Sequence, residues 1–132
     1  MEITVSQEVG EVPVTIFHLK GDLLHEEPLL TTAREAYGAG TRYLLLDLEE
    51  VPLISSAGLR ALHEVHNLLQ GDLGEEDERA VRQSIAAGAY KSPYVKLLRP
   101  SKNALRALTV AGYDMFMDIH QHRSQAIASF SR

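Results

Sequence analysis

The sequence predicts an α/β fold in which a mixed sheet of four or five strands carries helices mainly on one face. Short apolar segments alternate along the chain with segments whose apolar residues recur at helical spacing. Residues 44–48 form an apolar run that is too short for an ordinary helix and too continuous for a half-exposed strand. From Gly58 onward the apolar spacing changes to that of a helix, so a buried central strand is expected to lead into a helix.

A β-hairpin is predicted at the start of the chain. Ile3 and Val5 alternate with polar neighbours, and residues 14–19 form a second strand pattern. Gly10 and Pro13 mark the turn between the two strands. The sheet is therefore expected to begin with one antiparallel pair.

One helix is predicted before the central strand in the sequence, and one after it. Pro28 suits the first turn of the earlier helix, and Gly38 and Gly40 mark its end. Ser55 or Ser56 stands at the N-cap position of the later helix, where a hydroxyl is either a cap or a target for modification. The apolar stripe of this helix consists of Leu59, Leu62, Val65 and Leu69.

The second half of the chain repeats the alternation. A strand is predicted at residues 95–98, a helix from its candidate cap Ser101 to Gly112, and a short strand at residues 115–119. A last helix contains Ala126, Ile127 and Phe130. The predicted core includes Val5, Leu45, Leu59, Leu62, Leu97 and Leu105.

An insertion at residues 71–94 separates the two halves. A loop of this length without secondary structure would be unusual in so small a domain. Glu75, Glu76 and Asp77 precede Arg79 and Arg82, which is the charge order that the helix dipole favours. The insertion is therefore either a short extra helix or a mobile acidic surface loop, and its functional interpretation is a flap that contacts a partner.

Composition excludes several classes of protein. The 132 residues suffice for one domain, residues 1–132, and 13 basic against 18 acidic residues give a formal charge of −5. Without a basic run, nucleic-acid binding is not expected. The absence of cysteine excludes disulfides and thiol catalysis. No apolar stretch approaches the roughly 20 residues of a membrane span, and the N-terminus lacks a leader pattern, so a cytoplasmic protein without membrane insertion is expected.

Enzymatic motifs are missing. Ser56 follows a strand and opens a helix, but Ile54 stands where a nucleophile elbow requires glycine. No glycine-rich loop of the phosphate-binding types occurs, so neither a catalytic residue nor a cofactor is predicted.

The six histidines do not form a metal motif. His63 and His66 are three residues apart, whereas the metalloprotease motif needs four. No third ligand accompanies His120 and His122. Surface histidines are therefore expected, and no metal site is predicted.

The segment from residue 44 to residue 69 resembles the phosphorylation-site segment of STAS domains, the fold of the bacterial anti-sigma-factor antagonists. In that family a strand ends in Asp, and Asp-Ser-Ser/Thr-Gly-Leu then opens the second helix. Aligned on Gly58, Asp47 matches the strand-end acid and Ser56 matches the phosphoacceptor. Ser55 stands where the family has Asp, and Ala57 stands where it has a second hydroxyl residue.

Two further segments support the resemblance, which extends over most of the chain. Residues 19–23 are similar to the family's Gly-Glu/Asp-Leu after its second strand, and residues 95–100 are similar to its fourth strand. The resemblance implies a single STAS-like domain with an atypical insertion.

The resemblance also implies a function and a site. Such a protein binds an anti-sigma factor that is also a serine kinase of the GHKL type, thereby frees a sigma factor, and is switched off by phosphorylation. Ser56 is the implied phosphorylation site, with Ser55 as the alternative. The implied partner-binding residues are Gly21, Asp22, Ser55, Ser56, Ala57, Gly58, Arg60 and His63.

Two other functions remain open from the sequence. Small STAS proteins also occur as accessory subunits of lipid-transport ABC systems, and others are scaffold subunits of signalling assemblies. The serine at position 56 favours the switch, whereas the missing neighbouring Asp leaves room for the alternatives. The oligomeric state is not predicted.

Overall fold

The computed structural model describes residues 1–71, 79 and 91–131. Five strands in this part of the chain form one sheet, in which the first strand pairs antiparallel with the second and all other neighbouring strands are parallel. The predicted hairpin and mixed sheet are thus confirmed. In spatial order the strands are β1 (Glu2–Val9), β2 (Pro13–Lys20), β3 (Leu44–Glu50), β4 (Val95–Leu98) and β5 (Ile119–His120).

Four α-helices connect or follow the strands in the described residues. Three of them pack on one face of the sheet, where the larger apolar cluster lies, and the last packs on the opposite face over a smaller cluster. The prediction of helices mainly on one face is confirmed. The helices are α1 (Leu29–Gly38), α2 (Ser56–Gln70), α3 (Lys102–Val110) and α4 (Arg123–Ser129).

The central strand β3 is buried on both faces, as its continuous apolar sequence predicts. Leu44, Leu46 and Leu48 belong to the cluster beneath α1, α2 and α3. Leu45 points to the other face and belongs to the cluster beneath α4. Because both faces are covered, this strand has no polar face until Asp47 near its end.

Two predicted core residues are wrong. Leu45, Leu62 and Leu97 are fully buried and Leu59 is partly buried, but Val5 is 48% exposed and Leu105 is 37% exposed. Val5 lies on the edge strand β1, in which Ile3 alone is partly buried and all other residues are exposed. Leu105 lies one position off the buried stripe of α3, which consists of Ala104 and Leu108.

The predicted strand at residues 115–119 is shorter than expected. Tyr113–Met115 form a turn of 3-10 helix, and only Ile119 and His120 pair with β4. The Met117 amide donates to the Tyr113 carbonyl at 3.0 Å, so local hydrogen bonds replace strand pairing there. The extra helix considered for residues 75–86 lies outside the described residues.

Two serine caps fix the helices that start at the carboxyl edge of the sheet. The Ser55 hydroxyl accepts a hydrogen bond from the Gly58 amide at 3.1 Å, and the Ser101 hydroxyl accepts one from the Ala104 amide at 3.2 Å. Ser101 also donates to the Val51 carbonyl at 2.7 Å, which ties the start of α3 to the connection between β3 and α2. The N-cap of α2 is therefore Ser55 and not Ser56.

The first turn of α2 lies directly on the main chain of Leu23. The Leu23 amide donates to the Leu53 carbonyl at 2.9 Å, and the Leu23 carbonyl accepts from the Ser55 amide at 3.0 Å. A Cβ atom on Gly58 would lie 2.2 Å from the Leu23 carbonyl oxygen. Only glycine allows this approach without a shift of the backbone.

We expect Gly58→Ala to lower the free energy of unfolding by about 1–3 kcal/mol, the usual cost of overpacking, although alanine is the better helix former. Gly38→Ala is the matched control, because Gly38 is also helical and a Cβ there meets nothing within 4 Å. Urea unfolding of both variants measures the difference. Equal stabilities for the two variants would contradict the close approach.

A histidine between two carboxylates joins β2 to the end of β3. The Nδ1 atom of His18 lies 3.0 Å from Asp47, and its Nε2 atom contacts Glu50. The hydrogen bonds with Glu50 and then Asp47 raise the pKa of His18 above its ordinary value. Protonated His18 therefore links the two strands just before the connection that leads to Ser55.

His18 should make stability depend on pH. Its pKa is raised in the folded state, so its contribution is fully present below about pH 6.5, the ordinary histidine value, and is lost as the pH rises through the folded-state pKa. Relative to His18→Gln, the wild type should be more stable at acidic pH by about 1 kcal/mol or less, because the ring is partly exposed. Urea unfolding at pH values below and above the folded-state pKa of His18 measures the difference in stability between the wild type and His18→Gln. His25→Gln, a change at an exposed histidine, is the control. A constant difference between wild type and His18→Gln at all pH values would exclude this linkage.

Candidate functional site

The candidate site lies at the carboxyl edge of the parallel strands, where the segment after β2 meets the start of α2. Gly21 donates its amide to the Glu50 carbonyl at 3.0 Å and adopts a φ of 107°, a conformation that favours glycine. Leu23 then forms a parallel bridge with Ile54. These contacts bring Gly21 and Asp22, two residues implicated by sequence, beside the turn that carries the two serines.

The Ser55 hydroxyl is fully engaged in holding this turn. It accepts from the Gly58 amide and donates to the Leu24 carbonyl at 3.0 Å, with a longer contact of 3.4 Å to the Leu23 carbonyl. A hydroxyl has only one proton to donate, so both functions of this group are in use. Phosphorylation of Ser55 would remove the hydroxyl proton and with it the hydrogen bond to the Leu24 carbonyl.

The Ser56 hydroxyl, unlike that of Ser55, is exposed and takes part in no hydrogen bond of the turn. Its side chain is exposed at the first position of α2, and no hydrogen bond within the described part of the chain involves its hydroxyl. The main-chain amides of Ser56 and Ala57 also have no acceptor among the described residues. An anionic group on Ser56 would therefore meet free N–H groups and the positive end of the helix dipole.

The surface around Ser56 combines apolar and charged side chains. Leu24 is 39% exposed and Leu53 is 49% exposed, and both belong to the segments that flank the serines. An ion pair of 3.6 Å between Arg60 on α2 and Glu26 spans the same region. Leu24, Leu53 and Glu26 were not identified from the sequence.

The implicated residues of α2 do not all face solvent. Arg60 and His63 are exposed, and Ala57 is half-buried. Gly58 is buried against Leu23, so its contribution is to the packing beneath the serines. The structure thus gathers the exposed members of the predicted set on one surface and places Gly58 under it.

An aromatic cluster packs against α2 at His63 and His66. The ring of His66 lies 5.4 Å from that of Phe116, and the Tyr113 hydroxyl donates to the Leu59 carbonyl at 2.6 Å. His63 lies at the edge of this cluster, 6.0 Å from Phe116 between ring centroids.

His66 is only 2% exposed, so the prediction that the histidines lie at the surface is wrong for this residue. It stands four residues after Leu62 and therefore on the buried stripe of the helix. Burial, with a smaller contribution from His63, lowers the pKa of His66 to about 4. His66 is accordingly neutral near pH 7.

Two further observations bear on the chemistry of the site. Within residues 1–71, 79 and 91–131, no group of three or more His, Cys, Asp or Glu side chains could hold a metal ion. No hydrogen bond between Ser56 and a histidine occurs among the described residues.

No helix among the described residues is long and apolar enough to cross a membrane.

Leu24 and Leu53 each have a signal in the sequence that could have revealed them. Each stands next to a residue that is buried, Leu23 or Ile54, in an extended segment where neighbouring side chains point to opposite sides. Glu26 has no such signal, because its partner Arg60 is distant in the sequence.

Comparison with known proteins finds similarity by structure alone. No protein-family model matches the chain, and no curated protein sequence does. A protein from Thermotoga maritima described as a candidate anti-sigma factor antagonist is 16% identical, with a TM-score of 0.66 over 97% of this chain and 95% of that one. An anti-sigma factor antagonist from Mycobacterium paratuberculosis is 18% identical, with a TM-score of 0.64 over 98% and 94% of the two chains.

A third similar structure is the Bacillus cell fate determinant SpoIIAA in its phosphorylated form. It is 16% identical, with a TM-score of 0.60 over 96% of each chain. All three alignments cover nearly the whole of both molecules. The chain therefore has the STAS fold, the fold of the SpoIIAA-like anti-sigma factor antagonists.

Proposed function

We propose that this protein is an anti-sigma factor antagonist whose binding to an anti-sigma factor is ended by phosphorylation of Ser56. The observation that carries the proposal is the contrast between two adjacent serines. Ser55 holds the turn with its hydroxyl, whereas Ser56 presents an unengaged hydroxyl at the start of α2. The fold supports the proposal, since SpoIIAA, an anti-sigma factor antagonist of this fold, has both an unphosphorylated and a phosphorylated form.

The partner is a GHKL-type serine kinase that also acts as the anti-sigma factor. It transfers the γ-phosphoryl group of ATP to the Ser56 oxygen, and ADP and the hydroxyl proton are released. The unphosphorylated protein docks through the surface that contains Ser56 and the exposed apolar side chains of Leu24 and Leu53. Binding occupies the anti-sigma factor and frees the sigma factor.

Phosphorylation weakens binding more than it weakens the fold. A phosphoserine adds about −1.5 to −2 charges, which the free amides at the start of α2 accommodate while the group stays in water. In the complex the same group must lose its water against a surface shaped for a hydroxyl. The free-energy cost therefore falls on association.

Capture from a lysate of the source cells, with and without ATP, identifies the partner. We expect to capture a small GHKL-type kinase that ATP releases. Mass spectrometry of this protein should then find one phosphate in the tryptic peptide that contains Ser56. Phosphate on Ser55 alone would contradict the assignment. Capture of a transporter's nucleotide-binding subunit would instead support the accessory-subunit alternative.

Purified variants then test the switch. Ser56→Ala should bind the kinase and resist release by ATP, whereas Ser56→Asp should bind at least about tenfold more weakly, or about 1.4 kcal/mol. Ser124→Asp is the matched control, because it adds the same charge at an exposed serine in the first turn of α4. Ser55→Ala should lose about 1 kcal/mol of folding stability through the lost cap, unlike Ser56→Ala. Equal binding by the two Ser56 variants would exclude the switch.

A further inference from the structure

One exposed ion pair connects α2 to the segment that leads into α1. The Nε atom of Arg60 lies 3.6 Å from a carboxylate oxygen of Glu26, and the two side chains are 66% and 45% exposed. Charge-assisted hydrogen bonds normally have distances of about 2.7–2.9 Å, so Arg60 is held loosely. Within the described residues Arg60 has no other ion pair.

Arg60 is also positioned to meet a group on Ser56. The two residues are four positions apart on α2, and side chains at this spacing are neighbours on a helix surface, about 5–6 Å apart at Cβ. Both side chains are exposed, so no buried contact has to break for them to approach each other.

We infer that Arg60 exchanges the carboxylate of Glu26 for the phosphate of phosphorylated Ser56, a step that rests on the proposed function. A phosphate carries about −1.5 to −2 charges and three acceptor oxygens, against one charge and two oxygens for a carboxylate. Guanidinium groups bind phosphate through two parallel hydrogen bonds, which the present contact to Glu26 does not provide. The phosphate therefore binds Arg60 in preference to the Glu26 carboxylate.

The exchange involves side chains and leaves the backbone in place. The Glu26 carbonyl accepts from the Leu30 amide at 3.0 Å at the start of α1, and the Leu24 carbonyl accepts from the Ser55 hydroxyl. Neither bond involves the groups that exchange. The consequence is a change of charge, because Glu26 is left unpaired beside the phosphate on the surface that carries Leu24.

The exchange changes the charge that a partner meets on this surface. Before phosphorylation the Arg60–Glu26 pair is neutral. After phosphorylation Arg60, Glu26 and the phosphate together carry about −1.5 to −2 charges, and the two anions, Glu26 and the phosphate, lie on neighbouring segments. A partner surface that accepts the neutral pair meets two anions after modification. Part of the loss of binding is thus carried by Glu26 and not by the phosphate alone.

The test installs phosphoserine at position 56 during translation, so that no kinase is needed. Phosphorus NMR titration gives the second pKa of the phosphoserine in the wild-type background and in three variants. Arg60→Gln should raise this pKa by about 0.3 pH units or more, a twofold change in the dissociation constant, because the cation is lost. Glu26→Gln should lower it, because Arg60 is no longer shared, and Arg60→Lys should restore part of the wild-type value.

Arg34→Gln is the matched control. Arg34 is likewise exposed and pairs with Glu27 at 3.8 Å, but it lies on α1. The helix dipole affects all variants alike, so the comparison isolates Arg60. A phosphoserine pKa in Arg60→Gln that equals the control value would overturn the exchange.

A second measurement follows Glu26 itself. Its side-chain carboxyl carbon signal should shift on phosphorylation in the wild type and much less in Arg60→Gln; equal shifts would overturn the exchange. Because phosphoserine is installed without a kinase, the exchange and the proposed function are tested separately. If the NMR measurements show no exchange, the phosphorylation switch still stands. If they show the exchange but no kinase modifies Ser56, the proposed function is removed and the ion-pair exchange is retained.

Discussion

The contact between the main chain of Leu23 and the first turn of α2 determines the geometry of the candidate site. Leu23 uses both its amide and its carbonyl to bind the connection between β3 and α2, at Leu53 and Ser55. Gly58 allows the helix to lie on that carbonyl, where any Cβ atom would overlap it. The segment after β2 and the start of α2 are therefore held as one unit, and the exposed side chains of both form one surface.

The same contact separates the chemistry of two identical residues. Ser55 stands at the N-cap, where its hydroxyl can reach both the helix amide and the Leu24 carbonyl. Ser56 follows it by one position and is already helical, so its side chain turns outward to solvent. Residue type alone therefore does not separate a serine whose hydroxyl holds a turn from one whose hydroxyl is exposed, since the cap geometry assigns each hydroxyl its environment.

Patterns in the sequence predict the fold well wherever one face of an element is buried. The alternation of strands and helices, the hairpin, the buried strand β3 and the cap at Ser101 all follow from local spacing. Val5 and Leu105 fail because exposure at a sheet edge or beside a helix stripe depends on how far neighbouring helices extend. The prediction that His66 lies at the surface is wrong for a similar reason. Phe116 and Tyr113, which pack against His66 and His63 on α2, come from a distant segment of the chain. Within the site, the serines are visible in the sequence, whereas the Glu26–Arg60 pair requires the tertiary structure.

The serine at position 55 departs from the Asp of the STAS pattern and is the N-cap of α2. The family has Asp there, and a carboxylate can accept a hydrogen bond from a helix amide as well as a hydroxyl can. An ionised carboxylate cannot donate, however, whereas the Ser55 hydroxyl also donates to the Leu24 carbonyl. Ser55 therefore preserves the cap, adds a bond to the neighbouring segment and removes one negative charge beside Ser56. With that charge absent, a phosphate on Ser56 would share the start of α2 with Arg60, four positions along the helix, and through it with Glu26 on the facing segment.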